Sequence, residues 1–194
     1  KIATRPHKEV YCFRAAFKYR TSTWRDIEIQ GEQTLGDLDR ELRTAFNHDT
    51  FDHLSGFWKL VARGSGKQVR YREVAIGDIN PFMGGEAAGV TVASLGLQVK
   101  DKLKYVYDFG DWIEHTLTLS AISDPQPDVE YPREAARNKP KRTYCTRCKE
   151  QGRQTVATWI CFTCSEELGK EVVLCEDCMG LGEHEGHYRE ELVY

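Results

Sequence analysis

The chain has 194 residues, of which 40% are hydrophobic and 29% charged, a composition that suits one ordinary globular domain plus a small one. A formal net charge of −3 gives no global argument for nucleic-acid binding. No apolar run approaches the ~18–20 residues of a membrane-spanning helix. The chain opens on Lys1 rather than on methionine, which leaves room for a targeting segment ahead of it.

Lys1 to Lys8 is polar and basic and reads as a loose arm. Tyr11, Phe13, Ala15, Phe17 and Tyr19 then alternate with Cys12, Arg14, Ala16, Lys18 and Arg20, the period of a half-buried strand. Cys12 reads as a small packed residue there. Arg20-Thr21-Ser22 supplies a turn, and a second strand follows with Arg25, Ile27 and Ile29 on one face and Trp24, Asp26 and Glu28 on the other. The two predict an antiparallel hairpin. Thr34 then caps a helix, with Asp37 three residues on to complete the cap. Leu35, Leu38, Leu42, Ala45 and Phe46 form its apolar stripe, which leaves Asp37, Arg40, Glu41 and Arg43 facing out and ends the helix near Asn47. His53 to Val61 is apolar enough for a third strand, and the order strand–strand–helix–strand gives a β-grasp-like start.

Gly64 to Leu97 carries seven glycines and Pro81, which predicts an irregular excursion with short strands or a short helix around Ala93. Gly84-Gly85 is no phosphate loop, because no Gly-Lys-Ser/Thr follows it, and it reads as a flexible surface loop. Lys102–Tyr107 and Trp112–Ala121 form the clearest late hairpin, turning at Asp108-Phe109-Gly110-Asp111. Leu103, Tyr105 and Tyr107 alternate on its first strand, and Ile113, His115, Leu117 and Leu119 on its second. Ser123 to Thr143 holds four prolines and many charges and reads as a linker.

Residues 11–121 resemble the plasmid pRiA4b ORF-3-like family, also described as insertion-element passenger proteins. The matching pieces are Thr23-Trp24-Arg25-Asp26-Ile27, Thr34-Leu35-Gly36-Asp37-Leu38, Ala45-Phe46 with Asp52-His53-Leu54 and Phe57, and Tyr107-Asp108-Phe109-Gly110-Asp111 with His115. The family pattern has a Trp where Ile113 stands; here Trp112 comes one place early, which turns the indole the other way. The resemblance implies an α+β domain with a mixed or antiparallel sheet and a flanking helix. It implies no activity.

The last segment is written in ligand pairs: Cys145/Cys148, Cys161/Cys164, Cys175/Cys178 and His184/His187, each with two residues between. That spacing lets one tight turn present both side chains to one ion, and Zn²⁺ takes four such ligands in a tetrahedron. Eight ligands predict two closed zinc sites. The spacing allows two wirings. In one, Cys145, Cys148, Cys175 and Cys178 hold one ion and Cys161, Cys164, His184 and His187 the other. In the second, adjacent pairs share an ion. The run from Cys175 to His187 resembles the second half of a B-box zinc finger, and that resemblance implies the interleaved cross-brace. The domain reading is therefore an α+β domain over 1–122, a linker over 123–143 and a B-box-like double zinc finger over 144–194.

Charge is unevenly placed around this module. Arg133 to Arg153 holds eight Lys/Arg against two Glu, whereas Ser165 to Tyr194 holds two Lys/Arg against nine Asp/Glu. Outside the module, Asp52, His53, Asp108, Asp111 and His115 are the polar constellation that could bind a metal or transfer protons. His115 shares its face with aliphatic residues and Asp108 and Asp111 flank a turn, so packing and turn roles account for them first. No Gly-x-Ser-x-Gly or His-Glu-x-x-His motif is present.

The leading reading is a non-enzymatic interaction protein whose structural zinc module docks a protein partner. One alternative is a nucleic-acid-associated protein using the basic strip Arg133, Arg137, Lys139, Lys141, Arg142, Arg147, Lys149 and Arg153 with the aromatics Tyr144 and Trp159. The other is a hydrolase-like or metal-dependent enzyme centred on Asp108, Asp111 and His115. Thiolate ligands suit a reducing compartment, which predicts an intracellular protein, cytoplasmic or nuclear, with no membrane partner.

Overall fold

The computed structural model describes residues 8–63, 69–139 and 142–192. The expected arm at residues 1–7, Gly64, Gly66 and Lys141 lie outside the described residues. The chain divides into two compact units, Lys1–Asn138 and Lys139–Tyr194. No helix among the described residues is long and apolar enough to cross a membrane.

The first unit is α+β. Its strands are β1 (Val10–Phe17), β2 (Trp24–Gln30), β3 (Ser55–Arg63), β4 (Arg70–Ile79), β5 (Lys102–Tyr107), β6 (Ile113–Ser123) and β7 (Arg133–Arg137), with helix α1 (Leu35–Ala45) between β2 and β3. They form one seven-stranded sheet in the order β4-β3-β5-β6-β1-β2-β7. Every neighbouring pair is antiparallel. β1 lies between β2 and β6, so Phe13 faces both Ile27 and Leu119 across the sheet. The strand–strand–helix–strand order is present, but β3 pairs with β4 and β5 instead of with the first hairpin.

Period-two alternation puts Tyr11, Phe13, Ala15, Ile27, Ile29, Leu103, Tyr105, Leu117 and Leu119 on one buried face. Helix α1 covers it with Leu35, Leu38 and Leu42, joined by its C-cap residue Phe46, all fully buried. Each contributes about 2 kcal/mol of hydrophobic stabilisation. A capping box starts the helix: Thr34 Oγ1 accepts from the Asp37 N–H at 3.2 Å, and Asp37 Oδ2 accepts from the Thr34 N–H at 2.8 Å. Asn47, in the left-handed region at φ 56°, stops it.

Arg43 is a correction to the sequence reading. It does not face out but is 1% exposed. Its Nε donates to Asp39 Oδ2 at 2.8 Å, one helical turn back, and its other nitrogens donate to the carbonyls of Asp49 and His53 and to Ser55 Oγ. Asp39 in turn accepts from Ser55 Oγ at 2.6 Å and from the Tyr105 hydroxyl at 2.8 Å. The helix is covered over a wider face than its apolar stripe, and the surplus is polar but fully bonded.

The glycine-rich excursion contains the ten-residue strand β4, which the sequence did not announce, and a 3-10 turn at Ala93–Leu95, which it did. It returns over the start of α1, where the Leu35 N–H donates to Val90 O at 2.8 Å. A Cβ at Gly36 would lie 2.9 Å from Ala88 O, so only glycine permits that approach. Gly85 is not a loose loop residue either: at φ +88° its Cβ would meet Asp78 O at 2.5 Å.

The segment 123–143 is not linker throughout, because β7 within it closes the sheet edge beside β2. Arg25 explains this. It is 1% exposed, and its guanidinium donates to Ala45 O at 2.9 Å and to Asn138 Oδ1 at 2.9 Å. Asn138 also accepts from the Trp24 N–H, and Arg133 bonds Glu28. One buried cation therefore ties the end of α1 to the end of β7.

The second unit holds α2 (Thr146–Glu150), β8 (Trp159–Cys161), α3 (Phe162–Leu168), β9 (Val173–Leu174), α4 (Glu176–Met179) and β10 (Arg189–Glu191). The strands form a small antiparallel sheet in the order β10-β8-β9. Its main core is built from the six cysteines with Val172, Leu174 and Met179. Ala157, Val173 and Leu192 form a second, smaller cluster. So little aliphatic surface is marginal for independent folding.

Candidate metal centres

Each Cys-x-x-Cys pair is placed by a short helix. Cys145, Cys161 and Cys175 occupy the cap positions of α2, α3 and α4, and Cys148, Cys164 and Cys178 fall in the following turns. In the first, Cys145 Sγ accepts from the Cys148 N–H at 3.4 Å, which closes the knuckle. The ten ligand-free residues Ser165–Leu174 are used to finish α3 and return. Gly169 ends the helix in the left-handed region at φ +61°, and Ser165 Oγ accepts from the Val172 N–H at 2.9 Å. His184 follows from a 3-10 turn at Gly182–His184.

These elements bring together the interleaved sets. Cys145, Cys148, Cys175 and Cys178 form one group and Cys161, Cys164, His184 and His187 another, with the donor atoms of each group within 4.8 Å of one another. Cys148 Sγ lies 3.8 Å from Cys175 Sγ and 3.6 Å from Cys178 Sγ. A tetrahedron of sulfurs at the usual zinc–sulfur distance has an edge of about 3.8 Å. In the second group the Sγ–Nδ1 distances are 3.5, 3.5 and 3.4 Å. The corresponding mixed edge is about 3.6 Å. All six cysteines are unlinked, and the sulfur spacings are far beyond a disulfide bond.

Three of the thiols, those of Cys164, Cys175 and Cys178, are held above the usual thiol range, first by burial. Burial, and then the neighbouring Cys175, pushes the Cys178 thiol up. Burial, and then Cys161, pushes the Cys164 thiol up to about 11. Cys148 alone is drawn down, to about 7, first by a hydrogen bond involving Thr155. Burial holds His184 below its usual range, which keeps the imidazole neutral, the form that ligates. Eight soft or borderline donors in two closed quartets are therefore poised for a cation that would hold the cysteines as thiolates.

The other sequence candidates are not assembled into a site. His53 Nδ1 lies 3.0 Å from Asp108 Oδ2. Asp108 also accepts from the Gly110 N–H at 2.8 Å, which is a turn role. Asp52 and Asp111 are exposed. His115 is fully buried, with Phe17 and Phe46 ring centroids at 4.6 and 4.7 Å. Its Nε2 meets Nε2 of His48 at 3.1 Å. His48, which the sequence reading missed, stacks on Tyr107 at 4.2 Å. Burial pushes the His48 imidazole down to about 4, and burial and then His48 push His115 well below its usual range. Among the described residues only the two Cys/His quartets group three or more possible metal ligands. Trp112 joins Trp58 and Phe109 while Ile113 packs against the core.

The basic strip is divided between the two units. Arg133 is paired with Glu28, Arg137 with Glu134 and Arg147 with Glu183. Trp159 donates from its Nε1 to Glu176 at 2.6 Å, and Arg189 lies over its ring. Tyr144 is 40% exposed.

The fold and these clusters define an α+β protein with an antiparallel sheet and a small Cys/His-rich unit able to hold metal ions. The chain belongs to the plasmid pRiA4b ORF-3-like protein family, whose model matches residues 16–142. The match runs past the hairpin motifs to include β7 and ends before Cys145. Among solved structures, the protein of unknown function MM3350 from Methanosarcina mazei Go1 is similar, with 21% identity and a TM-score of 0.51 over 68% of this chain and 71% of that one. At that identity the likeness concerns the fold. No curated protein matches the chain.

Proposed function

We propose that residues 144–194 form a structural double zinc finger that docks a protein partner, appended to a non-enzymatic pRiA4b ORF-3-like domain. The observation that carries this reading is the pair of quartets whose donor spacings match the edges of a zinc tetrahedron. Four-cysteine and Cys₂His₂ sets select zinc over harder cations. A site with four protein ligands keeps no open position for a substrate or an activated water, so the metal's work is to hold the fold. Six cysteines kept as thiolates suit a reducing compartment, and we place the protein inside the cell. The test is a pull-down from source-cell extract, with and without nuclease, using the full chain and a chain ending at Arg142. A protein retained after nuclease and lost on truncation is the expected result. Recovery that disappears with nuclease would refute protein docking.

A further inference from the structure

In the first unit the hairpin of β3 and β4 is longer than the sheet it joins. β5 begins at Lys102, opposite Leu60, so the pairs Val61–Arg72, Ala62–Tyr71 and Arg63–Arg70 have no third strand beside them among the described residues. They form a two-stranded ribbon that runs about 10 Å past the sheet. All of its residues except Val61 are exposed.

The ribbon is built against its own electrostatics. It carries Arg63, Arg70 and Arg72 and no acidic residue. Alternation puts the three arginines on one face, with Arg63 directly opposite Arg70 and diagonal to Arg72. Like charges that face each other across a strand pair destabilise it. No ion pair among the described residues engages any of the three. Glu73, the next carboxylate along β4, belongs to the other face, where it accepts from Lys104 Nζ. On that face Lys102 holds its Nζ 5.1 Å from the Tyr71 ring centroid and is also without an ion pair among the described residues. The ribbon therefore carries uncompensated cations on both faces, in a chain whose net charge is −3. The repulsion between Arg63 and Arg70 is relieved only by an anion that lies against both.

We propose that this ribbon lies in the major groove of double-stranded DNA and binds its phosphates. The major groove admits a two-stranded β-ribbon. Phosphates flank a ribbon in the groove on either side, which matches cations carried on both faces. A phosphate shared by Arg63 and Arg70 replaces their repulsion with charge-assisted hydrogen bonds. A bilayer surface would meet only one face, and the narrow major groove of an RNA duplex would exclude the ribbon. The contacts are to the backbone, so they hold the duplex without reading its sequence. The proposal concerns the first unit and does not rest on the zinc module.

The test uses the full chain as purified and a fluorescein-labelled DNA duplex about two helical turns long, read by fluorescence anisotropy. Binding is expected to weaken linearly with salt on logarithmic axes. R63Q/R70Q/R72Q should lower that slope by about 3 and weaken binding at least about tenfold. R63K/R70K/R72K keeps the charges and should keep the slope. R142Q/K149Q/R153Q removes the same charge from the second unit and should leave binding unchanged. The Gln variant of the ribbon should melt no lower than the natural chain, because it loses a repulsion; lower melting would remove the premise. An equal loss in R142Q/K149Q/R153Q, or an RNA duplex or polyglutamate bound as tightly as DNA, would overturn the proposal. So would absence of DNA binding at low salt by a chain with full amide dispersion.

Discussion

The buried histidine pair makes the first unit sensitive to acid. His48 and His115 meet Nε2 to Nε2 at 3.1 Å, so one ring donates and the other accepts, and both are neutral. An ordinary imidazole in the unfolded chain binds its proton near pH 6.5, whereas burial holds His48 down to about 4. The unfolded state therefore takes up protons first as pH falls. The stabilisation is complete above pH 6.5 and is lost progressively towards pH 4. For His48 alone the loss by pH 5 is about 2 kcal/mol. His115, fully buried and pushed in the same direction, adds to it. The assay is urea unfolding between pH 7.5 and 5, comparing the natural chain with the His48→Phe/His115→Phe double variant. Contributions from the carboxylates and from the metal ligands are common to both chains and cancel in the difference. A stability gap between the two chains that shifts towards the variant by about 2 kcal/mol or more is expected. Parallel pH profiles would refute the assignment of neutral, buried rings.

Three further outcomes follow from the first unit. Asp39→Ala leaves the buried Arg43 guanidinium without its carboxylate and should cost about 3–5 kcal/mol in urea unfolding, whereas a loss under 1 kcal/mol would deny the network. Thr34→Ala removes the N-terminal cap of α1 and should cost about 1 kcal/mol, read as a lowered thermal midpoint. A chain ending at Asp128 removes β7 and the Asn138 partner of Arg25, and its first unit should melt well below that of a chain ending at Lys139. Equal melting would restore the linker reading of this segment.

Much of the sheet was legible because its strands are half-buried. Alternation along β1, β2, β5 and β6 and the cap at Thr34 are local signals that the tertiary structure reinforces. β4 carried no such signal: from Arg70 to Ala75 it is exposed on both faces, so nothing forces its residues to alternate. β7 was hidden by prolines and charges, since what holds it is a set of long-range bonds to Arg25, Trp24 and Glu28. Arg43 was misassigned because a helical wheel sorts residues by polarity and cannot know that four acceptors wait on the covered side. His48 lies just beyond the helix, where neither periodicity applies. The members of the two Cys/His quartets stood out by spacing alone, because a turn that is to present two donors to one ion needs them a fixed distance apart. Which pairs share an ion is a matter of tertiary structure, and only the resemblance to B-box fingers chose between the two wirings.

The most direct measurement is metal content paired with folding. Elemental analysis of the purified full chain should give two zinc ions per molecule. Chelation should then collapse the amide dispersion of residues 144–192 while that of the first unit persists, because the core of the second unit is made largely of the ligands themselves. A second unit that keeps its dispersion after complete removal of metal would contradict the account.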